Sequence, residues 1–544
     1  MRHKLAVLII IIACLWLVRG LFSSGLPVSH DGSSHIARMA NYYLAVKEGQ
    51  FPPRWAPNLD AGYGYPVLNF NYPLANMISV PLIAVNLGVE NTYKLILIVG
   101  YVMGGIGIYY FLVKKFGISA ALFGALLYVS APYQLTTIFV RGGVGEILSL
   151  ALLPWVLVWI DKLVDKNGQK HWLGTTLLLS ALWLSHNIMA VISTGLALFY
   201  TMVLYGGKGV KRLVKPLLVS ALLVSFFWIP ALVELKETVM AESGLNTEYV
   251  NHFATLNQLL FSPFSFGFSE PGPVDGLTMN VGVVQLVVVL IGVIITLIIK
   301  QSSKLWWWGI LVFAVSVFMM LSESEFIWSA ITYSGFIQFP WRLLFPIVLV
   351  AAILAANAYQ KIEKKRLLWA VLIMSLVMVS KVSLVEERFV GDDTYWFTHA
   401  LTTTVRQEID PINYSRGAAL EFFEKSSDKI KLLEGEMKSS TIDKWTGSHH
   451  EYEVVVDEQV TMVEKTTFFP GWEVTVNGRD QEILVDRNKS FGLIAHSLPA
   501  GVHKVETRFT QKTPSRIVGN SLSLLGVLGL GVEVVRRQYG QRMA

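Results

Sequence analysis

Apolar runs of about 20 residues, separated by short loops rich in lysine and arginine, leave this chain one kind of fold. Runs such as 93–113 and 145–165 are long enough to cross a hydrocarbon layer about 30 Å thick as helices. In lipid, only helices and closed barrels satisfy their own backbone polar groups. Of the 544 residues, 53% are hydrophobic and 15% charged, and mean hydropathy is +0.50. That excludes a soluble domain of this length. The net charge of +6 is no signal for nucleic acid, because the basic residues sit in clusters between apolar runs, where they orient cytoplasmic loops. The single cysteine, Cys14, lies in the first run. It excludes an intrachain disulfide and a cysteine-based metal site.

Charge placement predicts the topology. The first run follows Arg2 and Lys4 and lacks a small-residue cleavage site, so it reads as an uncleaved signal anchor. With that end inside, 23–72 is an outer loop. The piece 73–89 is interrupted by Asn76 and Pro81. It reads as a juxtamembrane or re-entrant helix, since its crossing would strand Lys114 and Lys115 outside. Crossings are then expected at 93–113, 117–137, 145–165, two short segments of 171–205 broken at Ser185-His186-Asn187, 215–233, 280–299, 305–321, 342–359, 367–385 and 516–535. The segment 326–337 is too short to cross. Basic clusters such as Lys208–Lys211–Arg212–Lys215 and Lys361–Lys364–Lys365–Arg366 fall inside, while the loop 234–279, with Glu234, Glu237, Glu242, Glu248, Glu270 and Asp275, falls outside. The expected fold is a polytopic α-helical membrane protein of about 12 transmembrane helices, multi-pass in the plasma membrane, with both termini cytoplasmic.

Residues 386–513 form a different kind of sequence, expected as a small extracytoplasmic domain. Its first half is mixed, with a helical pattern near A-A-L-E-F-F-E-K. From about 451 it alternates with the period-2 pattern of half-buried strands, as in Y-E-V-V-V and W-E-V-T-V. Asn477-Gly478 signals a type I′ hairpin. The expected division is a membrane domain over 1–385, a soluble domain over 386–513 that ends as a β-sandwich, and a last helix and tail over 514–544.

Unusual polar residues collect on the predicted outer side. Asp31, His35 and Arg38 are spaced i, i+4, i+7, which places an acid, a base and a cation on one face of a helix starting near Ser29. Asp31 is the candidate general base; the alternative is a helix N-cap or first-turn acid. His35 would orient Asp31 or join it as a ligand to a divalent metal, but two ligands with no third make a weak metal signal. Arg141 and Arg342 suit a phosphate or pyrophosphate, because guanidinium is always charged and binds such oxygens in bidentate fashion. His186 and Asn187 interrupt a greasy helix and offer further donors, and Glu146 and Gln338 would line the same cavity. The alternative for each is an interfacial residue or an internal salt bridge, a reading that fits Arg54 and Glu234 better.

D-G-S-S-H-I-A-R-M, the run G-x-F-P-P-R-W-A-P-N-L-x-x-G-Y-G-Y-P, A-P-Y-Q-L-T-T-I-F-V-R-G-G-V-G-E, L-S-H-N-I-M-A and Q-F-P-W-R-L-L together resemble the bacterial and archaeal membrane proteins labelled 6-pyruvoyl-tetrahydropterin synthase-related. These are similar in layout to GT-C glycosyltransferases. The three-histidine zinc site that a pterin synthase needs does not show in the sequence. The GT-C resemblance implies an inverting transferase that uses a polyprenyl-phosphate sugar donor, with the acidic residue of the first outer loop falling on Asp31. Its acceptor would be a hydroxyl on a glycan, lipid or protein. Many GT-C loops carry paired acids where this chain has Asp31 followed by Gly32, so metal dependence stays open. The competing classes are a transporter or flippase of lipid-linked glycans, which commonly shows repeats in matched halves, and a non-catalytic scaffold for envelope assembly.

Overall fold

The computed structural model describes the chain apart from residues 1, 166–167, 244–247, 273–274, 332–336, 363–364, 384–387, 390, 399–408, 424–427 and 544. Packing groups it into two compact units. The first holds Met1–His35, Glu90–Ala221 and Leu245–Gly391; the second holds Ile36–Val89, Leu222–Gly244 and Asp392–Ala544.

Apolar helices make up most of the first unit. The helical stretch Val89–Val129 has 41 residues, about 62 Å, twice the thickness of a hydrocarbon core. Gly117 breaks it with φ 76° and ψ 173°, two positions after Lys115, so it behaves as two helices. Asn187–Leu223 is broken in the same way at Gly206. Between Trp172–Ser185 and Asn187–Leu223 the expected interruption is present: His186 is extended, with φ −167° and ψ 130°. The expected span 117–137 stops instead at Val129, and a new short helix, Pro132–Thr136, starts on a proline that needs no N–H at that position.

Among the described residues, five helices are long and apolar enough to cross a membrane, or six if the bent pair Lys304–Met320 and Ser322–Ala330 is one span. The expectation of about 12 crossings is therefore not met by helix length and composition alone. Several expected spans are helices of 14 to 16 residues, among them Trp172–Ser185, Val283–Ile298 and Lys365–Ser380. At 1.5 Å per residue they reach about 21–24 Å. Leu74–Ala84, with 11 residues, is shorter still at about 16 Å. Part of 326–337 lies outside the described residues.

Asp161, near the end of the helix Val144–Val164, ties three helical segments together. It accepts Lys115 Nζ at 2.7 Å and the hydroxyls of Tyr200 and Tyr205 at 2.6 and 2.7 Å. Glu146 lies 15 residues earlier on the same helix, about 22 Å away, so the helix carries a polar tie at each end.

The second unit contains the expected β-sandwich. One antiparallel sheet runs in the order Met437–Trp445, His449–Val456, Gly501–Phe509, Trp472–Val476, Arg479–Gln481; the other runs Ile430–Leu432, Val460–Thr467, Leu493–Leu498. Asn477 and Gly478 both have positive φ, 51° and 76°, the backbone of a type I′ turn. Both sheets bury residues in one core, with Met462 and Ile494 from one and Tyr452, Val474 and Val505 from the other.

That core also contains Trp55 and Phe70. Trp55 is fully buried, packed edge-on to Trp472 and against Phe509, each at 5.4 Å between centroids. Tyr63 enters a second cluster with Phe423 and Leu493, and its hydroxyl donates to Ala419 O at 2.8 Å. Arg416 pairs with Asp60 and Asp410, both at 2.7 Å. Cutting the sequence at 385 and 513 separates residues that pack as one body, because the aromatic run after residue 50 is core of the sandwich unit. Arg54 and Glu234 are ties within this unit. Arg54 donates to Gln511, Asn69, Phe226 O and Asn520, and Glu234 pairs with Arg516 at 2.9 Å while accepting Asn69, Thr513 and Ser515.

Replacing Trp55 by alanine removes a fully buried aromatic from this core. The expected cost is about 3–5 kcal/mol, read as a lowered unfolding midpoint of the full-length protein in detergent; an unchanged midpoint would refute the assignment of 51–72 to the sandwich core.

Candidate functional site

The segment A-P-Y-Q-L-T-T-I-F-V-R-G-G-V-G-E builds the centre of the site. After the short helix from Pro132, residues Thr137–Arg141 form one π-helical turn, closed where the Gly142 N–H donates to Thr137 O. Such turns concentrate at functional sites, and this one ends on Arg141. Gly142 then turns left-handed at φ 66°, where a Cβ would come within 2.7 Å of Gly32 N. Glycine is required there on both counts. The close approach lets the backbone N–H groups of His30 and Asp31 donate to Val140 O and Arg141 O, both at 2.9 Å. Tyr93 adds a hydroxyl to Gly142 O at 2.7 Å.

Glu146, in the first turn of Val144–Val164, sits where a helix dipole favours an acid. It is 1% exposed. One of its oxygens accepts the Arg141 guanidinium and, at 2.9 Å, the Tyr133 hydroxyl. The other faces His186 Nε2 at 3.8 Å and Arg342 Nε at 3.9 Å. Burial opposes the charge on Arg141, but Glu146 and, more weakly, Asp31 outweigh it and raise its pKa. Both guanidinium groups lie over Trp341, Arg141 at 4.6 Å and Arg342 at 6.0 Å from the ring centroid.

Local structure explains how the other two residues arrive. His186 is the extended break between two helices, and its Nδ1 accepts the N–H groups of Ile188 and Met189 at 3.2 and 3.3 Å. That leaves Nε2 for Glu146. The neighbouring Ser185 hydroxyl meets Ser149 at 2.8 Å, which holds this break against the Glu146 helix. Arg342 lies in the 3-10 turn Pro340–Leu343. It donates to Ile337 O at 2.6 Å and to the Gln338 side chain at 3.1 Å, with Gln338 at φ 59°.

Of the residues singled out in the sequence, Asp31, Arg141, Glu146, His186, Gln338 and Arg342 are thus brought together within the first unit. His35 is buried on the helix Gly32–Lys47, within electrostatic reach of His186. Asp31 directly precedes that helix, and its carbonyl accepts the His35 N–H at 2.9 Å, the backbone arrangement of an N-cap residue. Arg38 is half-buried on the same helix and groups with the second unit. Asn187, the first residue of its helix, is exposed.

Sequence reasoning missed Tyr133, Trp341 and His30. Tyr133 and Trp341 stood inside motifs already noted, but nothing in spacing alone pairs Tyr133 with Glu146, 13 residues away. Among the described residues one group of three side chains has metal-ligand spacing, His449, Glu451 and Glu506 on the sandwich. There Lys444 and Arg508 already engage the same side chains.

The arrangement gathers two guanidinium groups on a single carboxylate, and Asp31 acts more weakly on Arg141. Removing that carboxylate takes the shared acid from two buried cations. Glu146→Ala is expected to lower stability by about 3–5 kcal/mol, measured as thermal unfolding of the detergent-solubilised protein; a midpoint like the parent's would show that the cluster carries no such charge balance.

Comparisons with known proteins bear on identity. A family model described as 6-pyruvoyl-tetrahydropterin synthase related domain, membrane protein, matches residues 68–386. No curated protein matches the chain. Among solved structures, the chain is similar to the arabinofuranosyltransferase AftD from Mycobacteria, seen by cryo-EM, with TM-score 0.47 and 12% identity over 70% of this chain and 26% of that one. A mutant form of the same enzyme gives 0.43 and 11%, over 70% and 27%. The chain spans about a quarter of that enzyme's length, and a likeness of this size fixes neither fold nor chemistry. The family match covers more than half of the 544 residues and includes the π-helical turn, Glu146, the His186 break and Arg342: the chain belongs to the 6-pyruvoyl-tetrahydropterin synthase-related membrane proteins.

Proposed function

We propose that this protein is a membrane glycosyltransferase that moves a sugar from a polyprenyl-phosphate donor to an acceptor hydroxyl on the extracytoplasmic side. The observation that carries the reading is the convergence of Arg141 and Arg342 on one buried carboxylate, one backbone hydrogen bond away from Asp31. A phosphate entering there meets two guanidinium groups in a setting of low dielectric, where such interactions are strong. Membership of a membrane protein family and the apolar helices that carry these residues favour a lipid-borne substrate.

In this reading the acceptor oxygen attacks the anomeric carbon as the bond from that carbon to the phosphate oxygen breaks. The electron pair leaves with the polyprenyl phosphate, whose charge Arg141 and Arg342 stabilise. The acceptor's proton passes to the Asp31 carboxylate. His35 holds the turn that carries Asp31, while His186 and Gln338 fix the two ends of the Glu146–Arg342 arrangement. Asn187, exposed at the start of its helix, would reach the phosphate from outside.

The test is sugar transfer by purified protein from a radiolabelled polyprenyl-phosphate sugar. Asp31→Asn should lower kcat by about 10²–10⁴-fold with donor KM near the parent value, and Arg342→Lys, which keeps charge and loses the planar fork, should raise donor KM. Full activity in Asp31→Asn would remove Asp31 as the base. Absent transfer with donor flux across proteoliposomes would make the protein a transporter, and absence of both would leave a scaffold.

A further inference from the structure

The loop that precedes the helix Val283–Ile298 is built inside out. Residues 262–272 and 275–279 meet through an antiparallel bridge between Phe266 and Leu277. Along the first arm phenylalanine alternates with small or polar residues, and Phe264, Phe266 and Phe268 are the exposed members, at 36%, 46% and 65%. Ser262, Ser265 and Ser269 are the more covered ones. The polar groups satisfy one another on the inner side: the Ser265 N–H donates to Thr278 Oγ1 at 2.8 Å, Thr278 Oγ1 donates to Pro263 O at 3.1 Å, and Asn280 donates to Ser262 O at 2.6 Å. Ser269 meets His252 at 2.8 Å. A hairpin facing water places these groups the other way round.

The same inversion continues into the next helix. Val283, Val287, Leu290, Ile294 and Ile298 form an exposed stripe at i, i+4, i+7, i+11 and i+15, between 41% and 72% exposed, while Gln285 and Thr296 are buried and bonded within the protein. In a protein of a membrane family, that stripe is a face for acyl chains. The phenylalanines prolong it beyond the helix end, and the acid that follows, Asp275, is engaged within the hairpin by the Leu277 N–H at 2.8 Å and the Ser269 hydroxyl at 3.4 Å.

We propose that the Phe264–Phe268 arm is immersed in the lipid surface at the boundary of headgroups and acyl chains, as interfacial apolar elements are. Its position bears on the candidate site. The His30 ring stacks on Phe268, with centroids 4.1 Å apart and planes 18° apart, and its Nε2 lies 3.2 Å from Phe266 O. His30 precedes Asp31 and shares its docking on the π-helical turn. The arm therefore sets the turn that bears Asp31 at the level of the lipid surface. The inference does not depend on the transferase reading, because it needs only the hairpin, the helix stripe and the bilayer.

The chain's single cysteine, Cys14, is buried, so the parent protein serves as a labelling blank for introduced thiols. Phe264→Cys, Phe266→Cys and Phe268→Cys, made singly at exposed positions and spin-labelled, would be reconstituted in phosphatidylcholine vesicles. Lys438→Cys, on the exposed strand Met437–Trp445, is the water-facing control. Collision with oxygen, relative to collision with a water-soluble nickel chelate, is expected to be severalfold higher at the three Phe positions than at 438. Ratios equal to the control would place the arm in water, and exclusion of both reagents would place it under another protein; either result overturns the proposal.

Discussion

The buried carboxylate of Glu146 is the interaction on which the first unit's polar architecture depends. A charge with 1% exposure is tolerable only when paired and hydrogen-bonded. Here the partners come from four separate places: Tyr133 from a short helix, Arg141 from a π-helical turn, His186 from a helix break and Arg342 from a 3-10 turn. The last three are irregular elements, and each adjoins an apolar helix. The irregularities are where backbone groups need local partners, and they are also what turn these side chains toward one point.

That geometry explains why the segment 132–146 reads as it does. The π turn places Arg141 beside Glu146 although they are five positions apart, and Gly142 permits the close approach of the His30-Asp31 backbone. Two arginines share one acid there.

The aromatic run 51–72 has a different logic. In sequence it is the most distinctive stretch of the chain, and it invites a reading as a binding groove. In the structure Trp55, Tyr63 and Phe70 are core residues of the sandwich unit, and Asp60 is tied to Arg416, more than 350 positions later. Aromatic and proline-rich composition describes a rigid apolar surface, but it does not say whether that surface meets a ligand or another part of the same chain.

Sequence alone determined the membrane class, the break at His186, the strand alternation and the Asn477-Gly478 hairpin, because hydropathy runs and turn chemistry are local properties that a few consecutive residues express. It also singled out Asp31, Arg141, Glu146, His186 and Arg342, since ionisable groups among apolar helices are conspicuous wherever they lie. Only the tertiary structure decided that the last four meet at one carboxylate, that Tyr133 and Trp341 join them, that several expected spans are shorter than a bilayer, and that 51–72 belongs with the sandwich. Those facts rest on which distant segments pack together. Pairing across tens or hundreds of residues is set by the sum of many weak contacts, and no single stretch of the chain encodes it.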